Sequence, residues 1–427
     1  MSARQVAERP RAARAERPHL LDRAARRIAL ALLSRTRGGE LVIVEPDRTL
    51  VFGDRRGEQA PRAVLRVAAP RFYRDLLRGS VGLCESYVDG LWDCEDLVAL
   101  TRLAARNVHR LDSLRRALSP ALIPWQRWLR AIARNTPRRA RRQIAAHYDL
   151  GNELFALFLD PTMMYSCAVF DRPGASLHEA SLAKLARVCD KLELGPEHHV
   201  LEIGTGWGGF AVYAAARHGC RVTTTTISRE QFEFATARVR AAGLEDRVEV
   251  LLRDYRDRDE LDRRGPYDKL VSIEMIEAVG WRDFPTYFRR CAELLAPNGA
   301  MLLQAIVIED SAYEVEKAGR SFINTHIFPG GCLPSLEVIA STLRRAGDLR
   351  QVQLEDITEH YATTLRIWRE RFAAAADRAA ALGYDERFRR LWELYLSWCE
   401  GGFRERRIRD VQLLLAKPRY RGSLTPL

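Results

Sequence analysis

Apolar and polar positions along the chain change their period three times. From Leu20 to Ser34 the run LLDRAARRIALALLS is basic on one side of a helical wheel and apolar on the other. That pattern predicts an amphipathic helix, suited to an anionic bilayer surface and equally to a seat on its own domain. From Gly39 the period shortens. GELVIVEPDRTLVFGD (39–54) alternates strand signals about a Pro-Asp turn and predicts a hairpin, and AVLRVAAP (63–70) predicts a third strand. PRFYRDLLRG (70–79) and ESYVDGLWDCEDLVALTRLAARN (85–107) read as amphipathic helical segments. Residues 1–38 thus form a basic arm with a helix, and 39–120 a small α+β domain. A basic connector over 121–147 follows, with Trp125 and Trp128 beside clustered arginines. Trp with Arg suits a membrane interface, and equally a clamp between two domains.

The long third stretch, 148–427, turns to a β/α alternation from about residue 183. The helix SLAKLARVCDKLEL (181–194) leads into strand HHVLEI, and RVTTTTIS (221–228), RVEVLLRD (247–254), YDKLVSIEM (267–275) and GAMLLQAIVI (299–308) are further strands. Segments near 350–355 and 407–416 supply the last two. The order predicts an α/β, doubly wound, Rossmann-like and mostly parallel sheet, with ligands at the strand carboxyl ends. Polar residues gather at those ends: Thr226, Ser228, Asp254, Glu274, Glu277 and Gln304.

Composition sharpens this picture in a few places. With 427 residues the chain can build two cores. The net charge of +12 favours a polyanionic partner, although an Arg-rich composition accounts for it equally well. Nucleic acid is set aside, because no recognised binding module accompanies the charge. No apolar run is long enough to cross a bilayer, and no secretory signal precedes the arm. The eight cysteines show no C-x-x-C spacing and read as reduced thiols of a cytoplasmic protein. The nine histidines lack metal-ligand spacing, so no metal is expected.

LEIGTGWGG (201–209) reads as a buried strand entering a glycine-rich turn that opens a helix. Gly204 and Gly206 allow a tight turn, and Gly208 and Gly209 a close helix start. The spacing is G-x-G-x-G, which differs from the dinucleotide fingerprint and from a phosphate loop. By itself it fits a nucleotide-like ligand at a helix N-terminus, or a tight turn with no ligand. Glu202 precedes it as an acid in apolar context. TISREQ (226–231) ends the next strand, where a group for a ribose belongs, and Asp254-Tyr255 ends the third, where a carboxylate reads an adenine edge.

With AAHYDLGNELFALFLDPTMMYSCAVF (145–170), DYRD (254–257), SIEMIEAVG (272–280), IFPGGCLPS (327–335), HYATTLRIWRERF (360–372) and CEGGFR (399–404), the chain resembles the cyclopropane-fatty-acid synthase family of S-adenosylmethionine-dependent methyltransferases. The resemblance runs from about 40 to 416. It implies a class I methyltransferase sheet with an antiparallel last strand, an accessory lipid-binding domain over 39–120, and a homodimer. It implies peripheral association with an anionic membrane, and methyl transfer to the cis double bond of an acyl chain in a phospholipid. It assigns the methyl donor to Tyr165, Ser166, Glu202, Gly204, Gly206, Thr226, Ser228, Gln231, Asp254 and Tyr255. As base it implies a bicarbonate ion held by Cys167, Glu277, Tyr361, Ile306 and the residue at 304.

The chain departs from that pattern. Gln304 stands where the family has histidine, Glu274 where glycine is common, Ala278 where histidine is common, and Thr205 where cysteine is common. Glutamine hydrogen-bonds but relays no proton. The departures at 274, 278 and 304 resemble a branch whose product is a methylene or methyl-branched chain, completed by a separate reductase, whereas Thr205 is conservative in size and leaves cofactor binding intact. The expected product is therefore a cyclopropane, with the branched chain as alternative. A small-molecule N-methyltransferase and an inactive membrane-binding paralogue are the competing readings.

Overall fold

The structure is a computed structural model and describes residues 19–55, 57, 59–108 and 150–423. The arm before residue 19 and the connector at 121–147 lie outside the described residues. The chain forms two compact units. The first joins the described residues up to 108 with Gly383–Glu405, and the second holds 150–382 and 406–423.

In the first unit β1 (Gly39–Val44), β2 (Thr49–Asp54), β3 (Arg62–Val67) and β4 (Trp92–Cys94) pair in the order β2-β1-β3-β4. β1 and β2 are the expected hairpin, β3 joins β1 in parallel, and β4 pairs antiparallel to β3. The helix Leu20–Leu33 forms where its pattern places it, closed at its start by a reciprocal His19–Asp22 cap. It buries Ala25 and Ala29 and leaves Leu20, Leu21, Ile28 and Leu32 exposed at 77, 60, 53 and 40%.

Two expectations need correction here. The segment 85–107 is not one helical stretch. Helix Ser80–Val88 stops at Asp89, Gly90 turns at φ 72°, β4 follows, and a new helix starts at 97. Trp92 fixes the break, because its indole N–H donates back to Leu83 O at 3.1 Å and Ser86 Oγ at 2.9 Å. Asp96 then caps the new helix through Ala99 N. Nor is 148–427 one domain. Helix Glu386–Arg404 belongs to the first unit, where it buries Trp392, Leu396 and Phe403. The Arg390 guanidinium lies 3.9 Å over the Tyr87 ring, and Thr101 Oγ1 donates to Ser397 O at 2.8 Å. An amphipathic face packs where its apolar area finds cover, whatever its distance along the chain.

The second unit is the predicted sheet. β5 (His199–Ile203), β6 (Arg221–Thr226), β7 (Val248–Leu252), β8 (Tyr267–Ile273), β9 (Leu295–Ile308), β10 (Arg350–Asp356) and β11 (Ile408–Ala416) lie in the order β10-β11-β9-β8-β5-β6-β7. β5 to β9 pair in parallel, and β11 runs antiparallel between β9 and β10. This is the class I methyltransferase arrangement with a reversed strand. Helices cover both faces, so β9 reads as a near-continuous apolar run in which Met301, Leu302, Leu303, Ala305 and Val307 are fully buried. Gln304, equally buried, interrupts it. Strand order reverses between β5 and β8, which opens a crevice at their carboxyl ends. Gly204 follows β5 and Glu274 follows β8, so the turn and the departures flank one crevice.

Candidate active site

The turn after β5 is held by Gly204 N and Thr205 N, which both donate to Thr225 O, at 3.0 and 3.1 Å. Gly204 adopts φ 102° and Gly206 φ 52°, conformations that disfavour a side chain. Gly209 begins a ten-residue helix, and a Cβ there would stand 2.7 Å from Thr162 O. Gly209 thus admits the 162–164 segment against the helix start. Trp207 ties in the same region, because its indole donates to Asn152 Oδ1 at 2.7 Å and its ring lies 4.9 Å from Phe155.

Glu202 is buried beside the turn and accepts from Thr224 Oγ1 at 2.6 Å. Burial pushes its carboxyl up to about 8, with Thr224 and Lys184 opposing. Thr226 Oγ1 donates to Gln231 Oε1 at 2.8 Å, and Ser228 Oγ caps the next helix through Gln231 N. Asp254 sits at the end of the third strand as expected, but the Arg256 guanidinium forks onto both its oxygens at 2.8 and 2.7 Å. Tyr255 is buried edge-on to Tyr287. Bare backbone at a helix N-terminus, a buried acid and strand-end polar groups together fit S-adenosylmethionine.

The second cluster centres on Glu274, whose Cα has φ 47°. Cys167 N donates to its Oε1 at 2.7 Å, Gln304 Nε2 to the same oxygen at 2.8 Å, and Tyr361 Oη to its Oε2 at 2.5 Å. Gln304 Nε2 also donates to Asp410 Oδ2 at 2.9 Å, and its Oε1 accepts from Gln412 at 3.1 Å. Gln412 in turn accepts from Lys191 at 2.7 Å. Glu277 takes Ile306 N at 2.5 Å, and its other oxygen is buried without a hydrogen bond.

Three carboxyls therefore share this end of the sheet with the buried ammonium of Lys184, while that of Lys191 lies further along, beyond Gln412. Burial raises Glu274 and Asp410, and it raises Glu277 to about 8. Mutual repulsion adds to the rise of Glu277 and Asp410. Tyr361, Cys167 N and Lys184 pull Glu274 the other way. Burial holds the Cys167 thiol protonated, and the nearby Asp410 and Glu274 reinforce this. Burial lowers Lys184, while Glu274 counters it.

Gln304, Asp410 and Cys167 are wholly buried, whereas Tyr165, Gly204, Gly206, Glu274, Met275 and Ile306 keep partial exposure deep in the fold. They outline a largely apolar recess between the turn and Glu274. A Cβ on Gly204 would lie 3.2 Å from Met275 Cγ, so the two sides of the recess are close. Rings wall it. Tyr361 is T-shaped to Trp368 at 6.2 Å, Trp368 lies 5.3 Å from Tyr165, and Tyr165 meets Phe155 edge-on at 5.2 Å.

The residues expected to hold bicarbonate do come together: Cys167, Glu277, Gln304, Ile306 and Tyr361 converge on one end of the sheet. They do not fit that ion. The N–H of Cys167, the Tyr361 hydroxyl and both Gln304 amide hydrogens are spent on Glu274 and Asp410, and the Ile306 N–H is spent on Glu277. A further anion would meet three carboxyls with no free donor among these groups.

Sequence reasoning left Glu274, Asp410, Gln412 and Lys184 out of the site. Asp410 and Gln412 were visible as polar residues in an otherwise apolar strand. Lys184 was visible too, on the apolar stripe of its helix with Leu177, Ala180 and Val188.

Comparison with known proteins gives the family. The family model for mycolic acid cyclopropane synthetase matches residues 135–413. The chain is 42% identical over 338 residues to the tuberculostearic acid methyltransferase UfaA1 of Mycobacterium tuberculosis, spanning 76% of each chain. It is 38% identical over 362 residues to the cyclopropane-fatty-acyl-phospholipid synthase of Escherichia coli, spanning 82% of this chain and 86% of that one. The crystal structure of the mycolic acid cyclopropane synthase CmaA1 complexed with SAH and CTAB matches with a TM-score of 0.60 at 32% identity, over 65% of this chain and 98% of that one. The chain belongs to the mycolic acid cyclopropane synthetase family and is an S-adenosylmethionine-dependent methyltransferase of lipids.

Proposed function

We propose that the protein transfers the sulfonium methyl of S-adenosylmethionine to the cis double bond of an unsaturated acyl chain carried by a membrane phospholipid. The observation that carries this reading is the setting of Glu274: a carboxyl bonded by three donors and partly exposed in the crevice that faces the glycine turn, beside the partly exposed Met275, Ile306 and Tyr165. An amine substrate needs a polar mouth for its charge, whereas an alkene needs a dry slot and a base.

When bound, the sulfonium supplies an electrophilic methyl. Gly204, Gly206, Glu202, Thr226, Ser228, Gln231, Asp254 and Tyr255, with Tyr165 and Ser166, are the groups to hold it. Met275, Ile306 and Tyr165 align an acyl chain and keep water out. The aromatic faces of Tyr165 and Tyr361 lie where positive charge on the chain is stabilised. Removal of a proton from the new methyl closes a cyclopropane. Removal from a neighbouring carbon leaves a methylene group, which a reductase partner saturates. This second outcome is favoured by Glu274 and Gln304 standing in place of glycine and histidine, and by the 42% identity to a relative named as a tuberculostearic acid methyltransferase rather than a cyclopropane synthase.

Among the described residues no helix is long and apolar enough to cross a membrane. Helix Leu20–Leu33 carries exposed Leu21, Ile28 and Leu32 along one stripe and exposed Arg23 and Arg27 on another side, and this apolar stripe with basic flanks supports docking on an anionic membrane surface.

Incubation with methyl-labelled S-adenosylmethionine and unsaturated phospholipid vesicles tests the reading. Label in the acyl chains is expected, and fragmentation in the mass spectrometer separates ring from methylene. Label absent from lipid but present in added amines overturns it.

A further inference from the structure

We propose that the Glu274 carboxylate is itself the proton acceptor of this reaction, a built-in base that fills the position of a dissociable bicarbonate. The inference rests on the methyl-transfer reading above and adds to it the identity of the base.

The geometry carries it. Three donors from three separate elements meet on the two oxygens of Glu274: Cys167 N before the helix Leu177–Lys191, Gln304 on β9 and Tyr361 on the helix Thr358–Ala374. A side-chain carboxylate presents the same planar O–C–O edge as bicarbonate, so donors arranged for one suit the other. Here the edge is tethered, and no free ion has to be captured.

The backbone points the same way. At φ 47° position 274 is left-handed, and a residue with a Cβ costs about 1–2 kcal/mol there relative to a relaxed conformation. Strain held at a ligand crevice marks a side chain kept for what it does. The neighbouring groups leave no better base. Gln304 cannot take a proton. The Cys167 thiol is wholly buried, as is Asp410. Glu277 carries one hydrogen bond against the three on Glu274, so its anion is held less well. Glu274 and Glu277 both keep partial exposure, and of the two only Glu274 has donors on both carboxylate oxygens.

The balance is closed. The C–S bond of the sulfonium breaks as its methyl forms a C–C bond to one alkene carbon, which leaves the other carbon cationic. Glu274 Oε takes a proton from the new methyl or from an adjacent carbon, and the released C–H pair forms the ring bond or a new double bond. The products are S-adenosylhomocysteine, the modified chain and a protonated Glu274, which returns its proton to water once the recess opens.

The test uses the full chain in carbonate-free buffer with unsaturated vesicles. Wild-type turnover is expected to stay within about twofold when bicarbonate is added. Glu274→Gln, isosteric but unable to accept a proton, is expected to lose about 100-fold or more and to gain nothing from bicarbonate. Glu274→Gly relaxes the backbone and frees the three donors, so bicarbonate or formate should restore its activity. A wild type that stops without bicarbonate and recovers with it overturns the proposal, as does a Glu274→Gln enzyme near wild-type rate. A binding readout stands apart from turnover. In 13C NMR, labelled bicarbonate should bind saturably to Glu274→Gly and not to wild type, with S-adenosylhomocysteine binding confirming that both are folded. Saturable binding to wild type, or none to folded Glu274→Gly, overturns the assignment of this position. If wild type methylates no lipid, the methyl-transfer reading fails by itself, and the binding arm still decides whether Glu274 fills the anion position.

Discussion

Lys184 Nζ donates to Ser166 Oγ over 2.8 Å, and both side chains are buried. The ammonium thus lies under the Tyr-Ser-Cys segment that hands Cys167 N to Glu274. Burial depresses its proton affinity, while Glu274, Cys167 and Asp410 sustain it. One cation steadies the carboxylate that needs to stay charged.

Removing that cation has a readable effect. In Lys184→Met, Glu274 loses an opposite charge and binds a proton more readily. The acid limb of the kcat/KM profile should move up by about one pH unit, with activity recovering at alkaline pH. A profile displaced in rate but not in pH would assign Lys184 to packing.

Glu277 and Glu274 separate by substitution. Glu277 sits near 8, so it is largely protonated at neutrality, and its role is to anchor β9 through Ile306 N. Glutamine keeps that acceptor, so Glu277→Gln should retain turnover within about tenfold at pH 7, while Glu274→Gln falls by about 100-fold or more. Steady-state assays of both variants side by side check the contrast.

Stability should fall on the alkaline side. Glu202 and Glu277 are raised to about 8 by burial, so between the ordinary carboxylate range and pH 8 the folded chain holds protons that the unfolded chain has lost. Their contribution is complete at low pH and disappears as pH rises through 8. Thermal unfolding should show Tm declining from pH 6 to 9. Glu202→Gln should flatten the decline and weaken S-adenosylhomocysteine binding by about tenfold, the loss of roughly one hydrogen bond.

Helix Leu20–Leu33 supplies a membrane test. Leu21→Asp with Ile28→Asp changes two exposed positions, so folding should be untouched. Cosedimentation with anionic vesicles should drop by about tenfold or more. Arg23→Glu with Arg27→Glu should reduce binding at low salt and little at high salt.

Much of this was legible in the chain. Continuous apolar runs such as MLLQAIV announced a sheet covered on both faces, and alternation with helices set its winding. The glycine turn and the pieces around Cys167, Gln304 and Tyr361 were readable as motifs. What local pattern hid was partnership. Glu274 stood out as a departure, but only the assembled sheet shows that Cys167, 107 positions away, aims its N–H at that carboxylate. The β4 break was hidden because Trp92 looks like one more apolar helical position until its indole finds Leu83 O. Arg256 was hidden as the partner of Asp254, since two residues of separation gave no sign of a bidentate fork.

Helix Glu386–Arg404 returns to the first unit before β11 completes the sheet of the second. The covalent path therefore shuttles: each unit is stitched from two stretches, and neither is a removable cassette. A truncation that deletes everything before the methyltransferase sheet leaves this helix behind with Trp392, Leu396 and Phe403 uncovered. Separating the two units therefore takes cuts on both sides of 383–405 as well as before residue 150.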